Sequence, residues 1–305
     1  MAHPNAPSAN RPADPRDDWA RLSRSERDAA YDNNTAVADS PALIAERNVA
    51  SAQARATLRS VLDLPYGPRT NNKIDLYPAA DPDAPCLLFL HGGYWQKNSR
   101  ELFAMMVEGV AAHGWSMAIP GYSLAPEVSL TEIVDEVRQA LDWLAAHAPD
   151  HGVAGPMITS GWSAGGHLVA MTLDHPLVAA GLSISGVFDL APLRDTGLND
   201  ALKLTDAEIE TLSPLRLPVI DKRLDLAYGD HELPTLVLDS INFYERRCAA
   251  GAPGRLLPIA GHNHFSILAE LRRADGALVR AARDLAGETG DDRTSALRSG
   301  AAFPE

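Results

Sequence analysis

From residue 73 onward, short apolar runs alternate with amphipathic stretches of helical period. The runs KIDLYP (73–78), CLLFLH (86–91), WSMAIP (115–120), GPMITSG (155–161), AGLSISG (180–186), RLDLAYG (223–229) and GRLLPIAG (254–261) read as strands. Between them, residues 99–113, 129–147, 164–173, 233–250 and 265–286 carry apolar positions at helical spacing. Strands that alternate with helices predict parallel βαβ units in a doubly wound sheet, a fold of the α/β class. Because the strands are apolar at consecutive positions, both faces of that sheet should be covered by helices.

Two further regions have helical period upstream, at 17–30 and 41–61, the second opened by Ser40-Pro41 as an N-cap with proline in the first turn. Residues 1–15, rich in Pro, Ala, Asn and Asp, are expected to be a disordered tail, and 287–305 a flexible polar one. The intervening 16–286 reads as a single domain. Within it, 187–222 is too long for a simple strand connection, so a small helical cap over one end of the sheet is predicted there.

Composition narrows the partners. With 27 Lys+Arg against 40 Asp+Glu the formal net charge is −13, and no basic cluster could neutralise phosphates. A nucleic-acid or anionic-membrane partner is therefore not expected. No apolar stretch reaches spanning length, and the N-terminus lacks the basic and apolar regions of a secretory signal. The two cysteines, Cys86 and Cys248, imply no disulfide framework. A cytoplasmic protein with a small-molecule substrate follows, a homodimer being left open.

The chemistry centres on SGWSAGG. Gly161-Trp162-Ser163-Ala164-Gly165 follows an apolar strand and opens a helix, the setting that a G-x-S-x-G nucleophile elbow requires. Small residues on both sides of the serine let strand and helix approach, and the helix N-terminus favours negative charge at Ser163. A serine that merely caps a helix would need neither the strand nor the second pair of small residues. A serine hydroxyl also needs a base. Of the downstream histidines, His167 lies one turn along the helix and reads as a packed residue, and His175 as a loop residue. His262 and His264, in IAGHNHFSIL, lie between the last strand and the last helix, at the edge where Ser163 emerges, and the spacing leaves both open as the base. The HNH run has no further ligands at metal-binding spacing. For the acid that orients the imidazole, Asp230 follows the strand ending at Gly229, with Asp189 after the preceding strand as its rival. HGGYW (91–95) follows the strand-like run 86–90. Backbone N–H groups of Gly92 and Gly93 are expected to join that of Ala164 in an oxyanion hole, walled by Tyr94, Trp95 and Trp162 as substrate-binding residues, with His91 as a loop anchor.

HGGYWQ, GWSAGGHL and NHFSIL, in that order, together with YDNNTAVAD (31–39) and NKIDLYP (72–78), resemble the arylformamidase (kynurenine formamidase) branch of the α/β-hydrolase superfamily, near the hormone-sensitive-lipase esterases. The resemblance covers roughly residues 25–285. It implies the α/β-hydrolase fold, the base at the histidine before phenylalanine, His264, and the acid at Asp230. It implies hydrolysis of N-formyl-L-kynurenine to kynurenine and formate in tryptophan breakdown, without metal or cofactor. YSLAPE (122–127) is esterase-like, so a carboxylesterase or amidase for another small acyl compound is the alternative; a catalytically silent binding protein is the third.

Overall fold

The computed structural model describes residues 11–288. Eight strands form one sheet: β1 (Val61–Pro65), β2 (Lys73–Tyr77), β3 (Cys86–Leu90), β4 (Ser116–Pro120), β5 (Met157–Trp162), β6 (Val178–Ile184), β7 (Leu224–Gly229) and β8 (Leu256–Ile259). Their order is β1-β2-β4-β3-β5-β6-β7-β8, with β2 antiparallel to both of its neighbours and all the remaining pairs parallel. The mostly parallel, doubly wound sheet expected from the alternation is present. β1 is an addition: it is a short, half-buried edge strand bent by a register shift at Asp63, whose φ is 62°.

The helices are α1 (Arg24–Ala29), α2 (Asn33–Ala36), α3 (Ser40–Thr57), α4 (Val107–Ala111), α5 (Leu130–His147), α6 (Ala164–Met171), α7 (Asn199–Leu202), α8 (Asp206–Leu212), α9 (Pro234–Ala249), α10 (Ala269–Arg272) and α11 (Ala277–Leu285). Central strands serve two cores at once, as period-2 geometry demands. In β3, Cys86, Leu88 and Leu90 join the core on one face, and Leu87 and Phe89 the core on the other. Each such fully buried side chain contributes about 1.5–3 kcal/mol. The helix expected over 265–286 is broken into a 3₁₀ turn (Ser266–Leu268), α10 and α11. The break falls at Gly276, where a Cβ would lie 2.0 Å from the Glu270 carbonyl oxygen.

Residues 187–222 form the 3₁₀ turn Ala191–Asp195 followed by α7 and α8. They dock on the body through Glu208, which accepts from the Thr131 amide and hydroxyl, and through the Leu212 carbonyl, 2.7 Å from His167 Nε2. The N-terminal segment is held by buried polar contacts. Arg16 pairs at 2.5 Å with Asp239, which is wholly buried on α9 and also accepts from the Phe188 amide. Thr235 donates to the Ala30 carbonyl. Of the tail expected to be disordered, only residues 11–15 are described, and Arg11 there pairs with Glu245. Most of the C-terminal tail likewise lies outside the described residues. Among those described, no helix is long and apolar enough to cross a membrane.

Two outcomes follow from the packing. A Cβ at Gly161 would lie 2.3 Å from the Gly165 carbonyl oxygen, so Gly161→Ala is expected to destabilise the protein by at least ~1–3 kcal/mol in urea unfolding. His91 and His167 are fully buried, and burial pulls both down to about 4. Both are thus neutral when folded, while the unfolded chain takes up their protons near the ordinary value of 6.5. The stability they lend is complete above about pH 6.5 and is lost as the pH falls towards 4, at up to about 1.4 kcal/mol per pH unit for each. Urea unfolding at stepped pH should show this slope, and His167→Gln should flatten it.

Candidate active site

Ser163 stands between β5 and α6 at φ 58°, ψ −119°, a conformation costly for a residue with a side chain. The turn is held by close backbone approach. A Cβ at Gly165 would meet the Leu90 carbonyl oxygen at 2.0 Å, and one at Gly161 the Gly165 carbonyl. The Ser163 amide donates to the Ile184 carbonyl, and the Gly166 amide closes the first turn of α6 onto the Ser163 carbonyl. Ser163 is thereby forced to the end of the sheet, where it lines a cavity of about 650 Å³ together with His264.

His264 is buried, with its Nδ1 2.7 Å from Glu232 Oε2. The Glu232 side chain has no exposed surface, and its other oxygen accepts from the Ser185 hydroxyl at 2.5 Å and from the Gly229 amide at 2.7 Å. Three hydrogen bonds satisfy this buried carboxylate and fix the Nδ1–H tautomer of the imidazole, and Nε2 has no partner among the described residues. The residue before Ser163 supports the same ring. Trp162 Nε1 donates to the His264 carbonyl at 2.8 Å, and the two rings lie 4.8 Å apart.

The acid expected at Asp230 is a correction. Asp230 is exposed, and its Oδ1 accepts from the Gly261 amide at 2.7 Å, tying the loop after β7 to the loop that carries His264. The chain turns over Gly229–Glu232, the Glu232 amide donating back to the Gly229 carbonyl, and only the second acidic residue of GDHE reaches inward. Spacing favours the first carboxylate after a strand; the second needs the turn to be seen. Asp189 accepts from the Ala191 amide and pairs with Arg216, away from His264. His262 sits 3.2 Å from the Ser266 hydroxyl and 3.5 Å from Glu270, stabilising the start of the following turns.

Gly92 packs against Ser163, Gly93 lines the same cavity, and Ala164 follows the serine at the start of α6. A Cβ at Gly92 would lie 2.8 Å from Ser163 Cβ, and Gly93 has φ +125° and lines the cavity. Among the described residues, neither the Gly93 nor the Ala164 amide donates to a protein acceptor.

The aromatic residues divide. Tyr94 lines the cavity, with its hydroxyl donating to the Tyr31 carbonyl and accepting from Asn33; burial raises its pKa strongly. Trp162 contributes an edge while supporting His264. Trp95, expected in the pocket wall, is a second correction: it is fully buried in the core, edge-on to His167 at 4.9 Å. Tyr94 and Trp95 have φ of 49° and 56°, and this tight turn sends the first ring to the cavity and the second inward. His91 is stacked between Tyr122 and Phe103 as a loop anchor.

Sequence reading missed the rest of the wall. Asp28, Asn33, Arg47 and neighbouring residues come from the N-terminal segment, Asn98 from the loop after HGGYW, Phe265 from the loop after β8, and Thr196–Leu198 from the 187–222 stretch. The two covering pieces are latched to one another. Asp28 accepts from the Gly197 amide and Arg24 pairs with Asp200, while Gln96 of the HGGYW loop ties the second piece down by donating to the Leu198 carbonyl.

Comparison with known proteins finds similar chains among hydrolytic enzymes. The family described as BD-FAE matches residues 74–174. A kynurenine formamidase of Danio rerio is 25% identical over 83% of this chain and 93% of its own length, and that of Salmo salar is 26% identical over 78% and 85%. A solved Silicibacter protein, provisionally described as a thioesterase, is 28% identical and superposes with a TM-score of 0.75 over 83% of this chain and 97% of its own. An esterase of Pyrobaculum calidifontis, 17% identical, shares the fold at a TM-score of 0.66 over 87% and 99%. With an eight-stranded, mostly parallel sheet and formamidase and esterase relatives, the chain is a hydrolytic enzyme, an arylformamidase-like α/β-hydrolase.

Proposed function

We propose that the protein is an arylformamidase that hydrolyses N-formyl-L-kynurenine to L-kynurenine and formate through Ser163, His264 and Glu232. The observation that carries this reading is the buried Glu232–His264 pair at 2.7 Å opening onto the same cavity as a strained Ser163. The kynurenine formamidase relatives, which this chain matches over most of its length, supply the substrate.

Ser163 Oγ attacks the formyl carbon while His264 Nε2 takes its proton, and the imidazolium is held by the Nδ1–H bond to Glu232. The carbonyl π pair moves onto oxygen, where the Gly93 and Ala164 amides stabilise it, with Gly92 giving the close approach. Collapse of this intermediate breaks the C–N bond. His264 then returns the proton to the departing aryl nitrogen, releasing the aryl amine and leaving formyl-Ser163. A water attacks the formyl ester, gives its proton to His264, and formate leaves as the serine oxygen is reprotonated. Each oxyanion donor is worth on the order of 10²–10³ in rate. Tyr94, Trp162 and Phe265 suit the flat aryl group.

Comparison of kcat/KM for formylkynurenine with that for p-nitrophenyl acetate tests the substrate. The amide should be the better substrate, and no advantage over the generic ester would leave a carboxylesterase. Ser163→Ala and His264→Ala should each lower kcat by on the order of 10⁴-fold or more with unfolding midpoints preserved, while His262→Ala stays far milder. For the acid, steady-state kinetics of Glu232→Gln should show a loss of about 10⁴-fold, because the amide fixes the wrong tautomer. Asp230→Asn should stay within a few-fold of the wild type; reversed results would restore Asp230.

A further inference from the structure

Arg47, on α3, lines the cavity that holds Ser163 and His264, yet the residue is only 5% exposed. Its guanidinium carbon lies over the face of Phe103, 4.5 Å from the ring centroid. Nε and Nη2 donate to Asn48 Oδ1 at 3.2 and 2.9 Å, and Nη2 also approaches Asn98 Oδ1 at 3.3 Å. The Asn98 amide is oriented by its own Nδ2, which donates to the Gly92 carbonyl at 2.9 Å. Both partners are neutral. Burial alone pulls the guanidinium down to about 10, no carboxylate opposes that pull, and the group is still a cation at neutral pH.

An uncompensated buried cation is expensive. The two carboxylates on the same wall do not offset it. Asp28 accepts from the Gly197 amide, and Asp32 caps α2 through the Thr35 amide and hydroxyl. Asp32 instead faces Lys97 at the exposed rim, and the Lys97 charge adds to the Thr35 hydrogen bonds in holding that carboxyl below its ordinary value. Nη1 has no protein partner among the described residues. A planar fork fixed by a ring below and two amides beside it matches a carboxylate.

We propose that Arg47 anchors a carboxylate carried by the substrate, so that the site selects acyl aryl amides or esters with an anionic side arm. The inference rests on Ser163, His264 and Glu232 being the hydrolytic centre, and it deepens the formamidase reading, since formylkynurenine carries such a group. Asn98 joins this anchor to the backbone of the oxyanion loop, so one amide registers both ends of the substrate.

Two matched substrate pairs test it: formanilide against 3-(2-formamidophenyl)propanoate, and phenyl acetate against 3-(2-acetoxyphenyl)propanoate. The wild type should prefer the anionic member of each pair, chiefly through KM. Arg47→Met should reduce that preference roughly 10–100-fold, and Arg47→Lys should keep part of it. Equal preference in wild type and Arg47→Met, or equal losses on both members of a pair, would overturn the anchor. Should the variants fold poorly, wild-type inhibition decides. 3-Phenylpropanoate should compete with substrate and 3-phenylpropanamide should not; equal inhibition refutes the proposal. Preference through Arg47 in the ester pair alone, with neither formamide cleaved, would refute the formamidase reading and leave the anchor standing.

Discussion

The turn between β5 and α6 is the constraint on which the rest of the site depends. Ser163 occupies a conformation that L-residues avoid, and it stays there because backbone packs on backbone around it. Gly161 lies against the Gly165 carbonyl, and Gly165 against the carbonyl of Leu90 on the neighbouring strand. None of these contacts leaves room for a methyl group. The strain therefore cannot relax by moving the serine alone, since strand and helix would have to part. This rigidity also fixes the Ala164 amide at the helix end and brings the HGGYW loop within reach of the serine.

Around that fixed point the polar groups are arranged so that almost every buried charge is answered. Glu232 is fully enclosed and accepts from Ser185, Gly229 and His264, so its carboxylate can be buried without a cationic side chain beside it. Asp239 does similar work farther out, receiving Arg16 from the N-terminal segment and the amide of Phe188 at the start of the 187–222 stretch. One buried acid thereby holds the two pieces that cover the cavity. Arg47, on the cavity wall, is held instead by the neutral amides of Asn48 and Asn98 and by the ring face of Phe103.

Several elements were legible along the chain for a simple reason. Strands buried on both faces must be apolar at successive positions, so β3, β5 and β7 announce themselves, and the small residues around Ser163 mark a turn with no clearance. Other elements were not legible. β1 is half-exposed and bent at Asp63, which leaves no clean alternation. Tyr94 and Trp95 are equally bulky in sequence, and only two successive left-handed residues send one to the cavity and the other into the core. The 265–286 region keeps helical period across a break, because α10 and α11 both bury apolar positions against the same core.

The sequence by itself determined the alternation of strand and helix, the strained serine, the glycine-rich loop and the histidine pair, all of which are local patterns or short spacings. Tertiary structure alone decided which acid meets His264, because Asp230 and Glu232 differ only in how the turn after β7 folds back on Gly229. It alone brought Arg47 beside Asn98 and Arg16 onto Asp239, across separations of 51 and 223 residues. Contacts at such distances follow from the packing of whole elements, and no window of neighbouring residues encodes them.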